Sequence, residues 1–359
     1  MRKMWVVTIG LLCLTTYADA YEAQIGFSGQ GMSDSHIPAG NWDGLVRQVS
    51  ATQAEIDQVL QANEKVRELA YRRREVEAEQ KARAAGVKFD WSRDAVLVKG
   101  TEEQPLPDRW CEIVLEGGDK AEGRGFCMGA LDKDFVNSQP VHKVELSSFY
   151  MAKAPVTMAQ YRACVAAGKC AKPNSRYTDA HCNWTDEPSD REDHPANCVD
   201  VQQAETFAAW VGGRLPTEAE REFAATARGK NQKYPWGGAG KDIEPDCHMA
   251  VMYGNGGPGC GSGFTMPVCS KLLGNVKLDG GELCDLAGNV WEWTADSWTE
   301  NYQKEFVKNP KITAGSFRVL RGGSFNTKVA RSLRADNRAH LNPGLRYYFV
   351  GFRLAMSSR

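Results

Sequence analysis

Ten cysteines carry most of the chemistry this 359-residue chain could perform: Cys111, Cys127, Cys164, Cys170, Cys182, Cys198, Cys247, Cys260, Cys269 and Cys284. An eleventh, Cys13, lies near the start. A thiolate can attack, bind a soft metal or be oxidised to a disulfide, and spacing helps to choose among these. No C-x-x-C pair occurs, which weakens the zinc and thioredoxin-like readings. An even number in an oxidising compartment favours disulfides. Nearest neighbours give the simplest pairing: 111–127, 164–170, 182–198, 247–260 and 269–284. A second group is His181, His194 and His248, set among Asp179, Asp186, Asp190, Asp193 and Asp246. From this mix a His/carboxylate iron site could be built. The histidines lack helical spacing, so surface or structural roles compete with that reading. No Gly-rich phosphate loop, G-x-S-x-G elbow or H-E-x-x-H pair is present.

The cysteine reading depends on compartment. Arg2 and Lys3 precede an apolar run at 5–14, and Ala18-Asp19-Ala20 supplies the small residues of a cleavage site. This pattern is expected of a secretory leader over 1–20, giving a periplasmic or secreted product cut near Ala20. The run is too short for a bilayer span, and no later segment is long and apolar enough for one. Forty-four Lys and Arg face 45 Asp and Glu, a formal charge of −1. No basic excess therefore argues for nucleic acid. The 35 Gly and 15 Pro point to a loop-rich fold.

Around these residues the chain divides into regions. Residues 21–42 read as an irregular, flexible arm. Residues 45–85 contain no Gly or Pro, and Leu45, Val49, Thr52, Ile56, Val59, Asn63, Val66 and Ala70 form a heptad seam. A long helix over 43–86 is expected, either a short coiled coil that self-associates or a helix lying on the next domain. Residues 87–122 read as a linker. From 123 to 357 short strands, turns and Trp-rich motifs take over, an α+β pattern. Within it, 141–146 alternates like a strand and 148–151 continues it. Thr157 can cap one helix, 201–210 reads as another, and Thr217 with Glu220 forms a capping box for a third.

The second region carries ordered blocks: Gly213-Arg214-Leu215-Pro216-Thr217-Glu218-Ala219-Glu220, Tyr234-Pro235-Trp236-Gly237, Asp285-Leu286-Ala287-Gly288-Asn289-Val290-Trp291-Glu292-Trp293, Arg318-Val319-Leu320-Arg321-Gly322-Gly323-Ser324-Phe325 and Gly351-Phe352-Arg353-Leu354-Ala355. In this order they resemble the formylglycine-generating enzyme, or sulfatase-modifying factor, family. The resemblance spans 123–357 and implies a loop-rich, C-type-lectin-like α+β domain. Read physically, the blocks are mostly structural. Trp291 and Trp293 share one face of an extended segment and Glu292 takes the other, while Arg214 and Arg321 are suited to buried carboxylates or carbonyls.

What the resemblance implies for chemistry is mixed. Active members oxidise a cysteine of a substrate protein to formylglycine, using copper and two cysteines just after the Gly-Gly-Ser-aromatic block. The matching positions here are Thr327 and Ser332. Hydroxyls do not replace thiolates for copper(I), so copper chemistry is not expected. Arg221 is a further departure, where the family usually has an aromatic residue. Some members bind calcium at the Gly-Asn-Val-Trp-Glu loop. By position Asp285 and Glu292 would give carboxylate oxygens, and Gly288 and Val290 carbonyls, a hard-cation set. Ordinary turn and salt-bridge contacts for Asp285 and Glu292 are the alternative. Two functions stay open: an exported module binding a protein or peptide in envelope assembly, or an oxidoreductase acting on an exported protein, peptide or peptide-derived metabolite through another metal or none. Protein purified after export should begin at Tyr21, and an intact mass that retains 1–20 would remove the export argument.

Overall fold

The computed structural model describes residues 89–101, 125–173, 180–230, 232–237, 243–254 and 256–358. The expected leader, arm and long helix lie outside these residues. Within the stretch read as a linker, Trp91–Asp94 forms a helical turn (α1) and Ala95–Val98 a strand (β1). Asp90 caps the turn by accepting from Ser92 N, and Val96 and Val98 are buried. This part of the linker is therefore folded into the domain.

The strands that follow are short. They are Phe126–Met128 (β2), His142–Glu145 (β3), Phe149–Ala152 (β4), Val276–Leu278 (β5), Gly281–Leu283 (β6) and Trp291–Ser297 (β7). Val307–Lys308 (β8), Arg318–Arg321 (β9), Arg338–Leu341 (β10), Val350–Phe352 (β11) and Ala355–Ser357 (β12) complete them. They make sheets in the orders β1-β4-β12, β10-β9-β7-β11, β2-β3-β8 and β5-β6. Three helices start where the side chains predict. Thr157 with Gln160 caps Met158–Ala166 (α2), Asp200 with Gln203 caps Val201–Trp210 (α3), and Thr217 with Glu220 caps Glu218–Ala225 (α4). Each box satisfies backbone N–H groups that the first turn would otherwise leave open.

The four-stranded sheet separates two environments. On one face Trp293 and Leu320 are paired across β7 and β9 and pack with Phe352 against Tyr161 and Phe207 of the helices. Trp291 packs on the same cluster, as its spacing from Trp293 requires. The other face is charged. Glu292 is paired with Arg321, and Arg321 with Arg338, so three ionised side chains line up across three strands. Helix α4 supplies their complements. Glu218 accepts from Arg338 Nε at 2.6 Å, Arg221 Nε donates to Glu292 at 2.6 Å, and Glu222 pairs with Arg321. Positions 218, 221 and 222 lie on one helical face, and all three are buried.

Glu292 is the most heavily used of these groups. Arg353 donates to both its oxygens, at 2.7 and 2.8 Å, and Arg221 takes the remaining access to Oε2. Arg353 also donates to the carbonyls of Ala152, Cys284 and Asp285, and Arg221 to that of Leu286. Burial pushes the Arg221 guanidinium down to about 10 even with Glu292 beside it. Replacing Glu292→Gln would leave two buried guanidinium groups without a counter-charge. Urea unfolding should show a loss of about 3–5 kcal/mol, and a loss below about 1 kcal/mol would contradict the structural role assigned here.

Candidate functional site

Strand β9 runs into Gly322-Gly323-Ser324-Phe325, and this turn stands against both Thr327 and Ser332, the two positions that the family resemblance matched to copper cysteines. Gly323 adopts φ +73°, and a Cβ there would lie 2.6 Å from Leu333, 3.0 Å from the Ser332 carbonyl and 3.3 Å from Thr327 Oγ1. Only glycine fits between them. Thr327 is buried, and its hydroxyl accepts from Ser324 N at 2.9 Å, so it closes a local turn. Its carbonyl accepts from Tyr253 N, and that of Phe325 from Gly259 N. The disulfide Cys247–Cys260 holds the loop that supplies those donors.

Beside this turn stands an aromatic cluster. The His181 ring lies 5.0 Å from Tyr348, 5.2 Å from Phe264 and 6.4 Å from Phe325. Phe325 is buried, whereas His181, Phe264 and Tyr348 are partly exposed. Asn197 organises the cluster from below by donating to the carbonyls of His181 and Tyr348. The disulfide Cys182–Cys198 joins the residues next to His181 and Asn197. Arg191 lies over the Phe264 ring at 4.0 Å, and Lys328 over Tyr253 at 4.8 Å. Aromatic surface flanked by cations and amides suits an extended polypeptide, which offers apolar side chains and a backbone to hydrogen-bond.

The other sequence-derived candidates fall elsewhere. Four of the five expected disulfides are present: 164–170, 182–198, 247–260 and 269–284. The fifth pairing, 111–127, involves Cys111, which lies outside the described residues. The calcium set shares one loop, but its centre is filled. Glu292 is held by two guanidinium groups, and Arg353 reaches Glu292 and the Asp285 carbonyl together. The Asp285 carboxylate accepts from Cys269 N and Asn289 Nδ2, and burial pushes it up to about 6. Gly288 has no room for a side chain, since a Cβ would meet the Val251 carbonyl at 2.5 Å, and Val290 is buried. A cation at this loop would have to displace Arg221 or Arg353, so the residues present do not fit calcium as the sequence arranged them. Arg221, the departure noted in the sequence, is thus a built-in positive charge at that carboxylate.

The histidines do not converge on a metal. His194 Nδ1 lies 2.9 Å from Thr265 Oγ1, and burial holds its imidazole down at about 4, neutral at physiological pH. His248 donates its backbone N–H to Asp246, Asp186 pairs with Lys172, and Asp179 lies outside the described residues. Among the described residues no three His, Cys, Asp or Glu side chains group so as to hold a metal ion. Sequence reasoning missed Arg191, Phe264, Tyr348 and Tyr253. The run Tyr347-Tyr348-Phe349 was the one local signal that could have flagged any of them.

Comparisons with known proteins place this geometry. The chain matches the sulfatase-modifying factor enzyme 1-like domain over residues 97–358. It is 30% identical over 253 residues to hercynine oxygenase of Mycolicibacterium thermoresistibile, covering 61% of this chain and 53% of that one. It is 32% identical over 169 residues to formylglycine-generating enzyme of Mus musculus, covering 46% and 45%. The chain thus spans about half the length of these curated relatives. Among solved structures, PvdO from Pseudomonas aeruginosa superposes with a TM-score of 0.53 at 24% identity, over 76% of this chain and 98% of that one. Treponema denticola variable protein 1 does so at 0.50 and 23%, over 65% and 92%. Both share the fold. With its Gly-Gly-Ser-Phe turn, its charged sheet row and a domain match over most of its length, the chain belongs to the sulfatase-modifying factor family.

Proposed function

We propose that this chain is a polypeptide-binding member of the family, working in an oxidising, exported setting and lacking formylglycine-generating activity. The observation that carries this reading is the pair Thr327 and Ser332 at the positions of the family's copper thiolates. Neutral hydroxyls are hard, weak donors to copper(I), and Thr327 already spends its oxygen on Ser324 N. The cysteines of the neighbouring loop, Cys247 and Cys260, are joined to each other. The residues present therefore do not fit a two-thiolate copper site. The aromatic cluster around His181 remains as the recognition element. Four disulfides fit an oxidising compartment. Among the described residues no helix is long and apolar enough to cross a membrane.

A second reading, an oxidoreductase using another metal or none, is favoured by the similarity to a hercynine oxygenase. Metal analysis of the purified oxidised protein tests the metal-dependent form of this second reading. Stoichiometric iron or copper would sink the binding-module reading, and calcium or no metal agrees with it. Incubation with copper, oxygen and a cysteine peptide should yield no aldehyde product by mass spectrometry. Turnover by the wild type would overturn the matching of Thr327 and Ser332 to the thiolate positions. The double variant Thr327→Cys with Ser332→Cys should bind copper(I) more tightly than the wild type in a competition titration.

A further inference from the structure

The structure spends its arginines carefully. Thirteen arginines lie in the described residues, and eleven stand within ion-pair distance of a carboxylate. The two that do not are Arg191 and Arg331. Arg191 lies on Phe264 of the aromatic cluster and gives one N–H to the Ala180 carbonyl. Arg331 is exposed on the segment that leaves Phe325. Lys328, on the same segment as Arg331, is also exposed and without an ion-pair partner among the described residues, and it lies over the Tyr253 ring. From Phe325 to Ser332 the chain contains two cations and no carboxylate. The adjacent Asp190 is exposed and makes no ion pair with Arg191.

The same stretch leaves apolar surface uncovered. Val329 is 51% exposed and Tyr253 37% exposed. Large aliphatic and aromatic side chains left in solvent beside unpaired cations are the ordinary composition of an interface, with anchors at the centre and charge at the rim. The segment is also rigidly seated. Phe325 and Thr327 carbonyls are tied to Gly259 and Tyr253, so the cations project from a fixed frame at little ordering cost.

We infer that this face binds an acidic polypeptide segment whose carboxylates meet Arg191, Lys328 and Arg331 and whose aromatic or aliphatic side chain covers Val329 and Tyr253. The inference rests on the polypeptide-binding reading above and narrows its ligand class. An arginine fork pairs with a carboxylate in two parallel bonds, and the stacked position of Arg191 leaves most of its donors for such a ligand.

The test uses the full, oxidised chain and three fluorescein-labelled nonapeptides of equal aromatic content. One alternates Asp and Glu with Phe and Tyr, the second replaces each acid by its amide, and the third replaces each acid by Lys. Fluorescence anisotropy at low salt should show the acidic peptide binding about tenfold more tightly than the amide peptide, as expected of a few partly exposed charge pairs. The preference should shrink at high salt. The double variant Arg191→Gln with Arg331→Gln should bring acidic and amide peptides to within about twofold. Should that variant fail to fold, the salt dependence of the wild-type preference decides alone. Equal affinity for acidic and amide peptides, or preference for the Lys peptide, would overturn the acidic-ligand inference and leave the binding module standing. Failure of all three peptides to bind would overturn both.

Discussion

Glu292 is the carboxylate on which the domain turns. It is fully buried, and two guanidinium groups from distant parts of the chain converge on it. Arg353 follows the last strand of the central sheet, and Arg221 comes from the helix that follows the Gly-Arg-Leu-Pro block. Taking three ions out of water is costly, and a well-packed apolar cluster could match their net stability. What the triad imposes is arrangement, because removing any one member strands the others. The carbonyls of Ala152, Cys284, Asp285 and Leu286 accept from the same two arginines, so the end of β4 and the 284–286 loop are located together with that carboxylate.

The row Glu292, Arg321, Arg338 extends that constraint across the sheet, and α4 answers it with Glu218, Arg221 and Glu222. A fold with few long elements needs such cross-links, since its backbone hydrogen bonds are local and its sheets are small. The apolar face, with Trp293 at its centre, stabilises by exclusion of water. The charged face fixes which loop meets which. Strand β9 belongs to both and ends in the Gly-Gly turn, so the candidate face inherits its position from the ion-pair row.

Much of this was legible in the sequence where partners are close. The capping residues Thr157 and Thr217 act within one turn, and the helix over 201–210 follows from local periodicity, whereas the strand expected to run from 141–146 on through 148–151 is two strands, β3 and β4, in different sheets. Arg214 finds Glu220 and Arg321 finds Glu222, as their expected pairing with carboxylates required. Distance along the chain hid the rest. Arg221 could be seen as a departure, but its partner lies 71 residues away. The aromatic cluster draws on positions 181, 264, 325 and 348, which share no element and no period. Strand β1 has only four residues and sits in a Pro- and charge-rich setting, so its pairing with β4 leaves no local mark. The loop named for calcium shows the same effect: its own residues are neighbours in sequence, while the guanidinium groups that meet Glu292 come from elsewhere.

The placement of the disulfides gives the domain two tiers of assembly. The ion-pair row forms from residues that need only fold. The loops bearing His181, Asn197 and the donors to Phe325 and Thr327 are each fastened by a bridge, 182–198 or 247–260. A chain still holding free thiols would therefore own its interior before it owned its outer face. The order of these outer loops is thereby tied to oxidation of the thiols that fasten them.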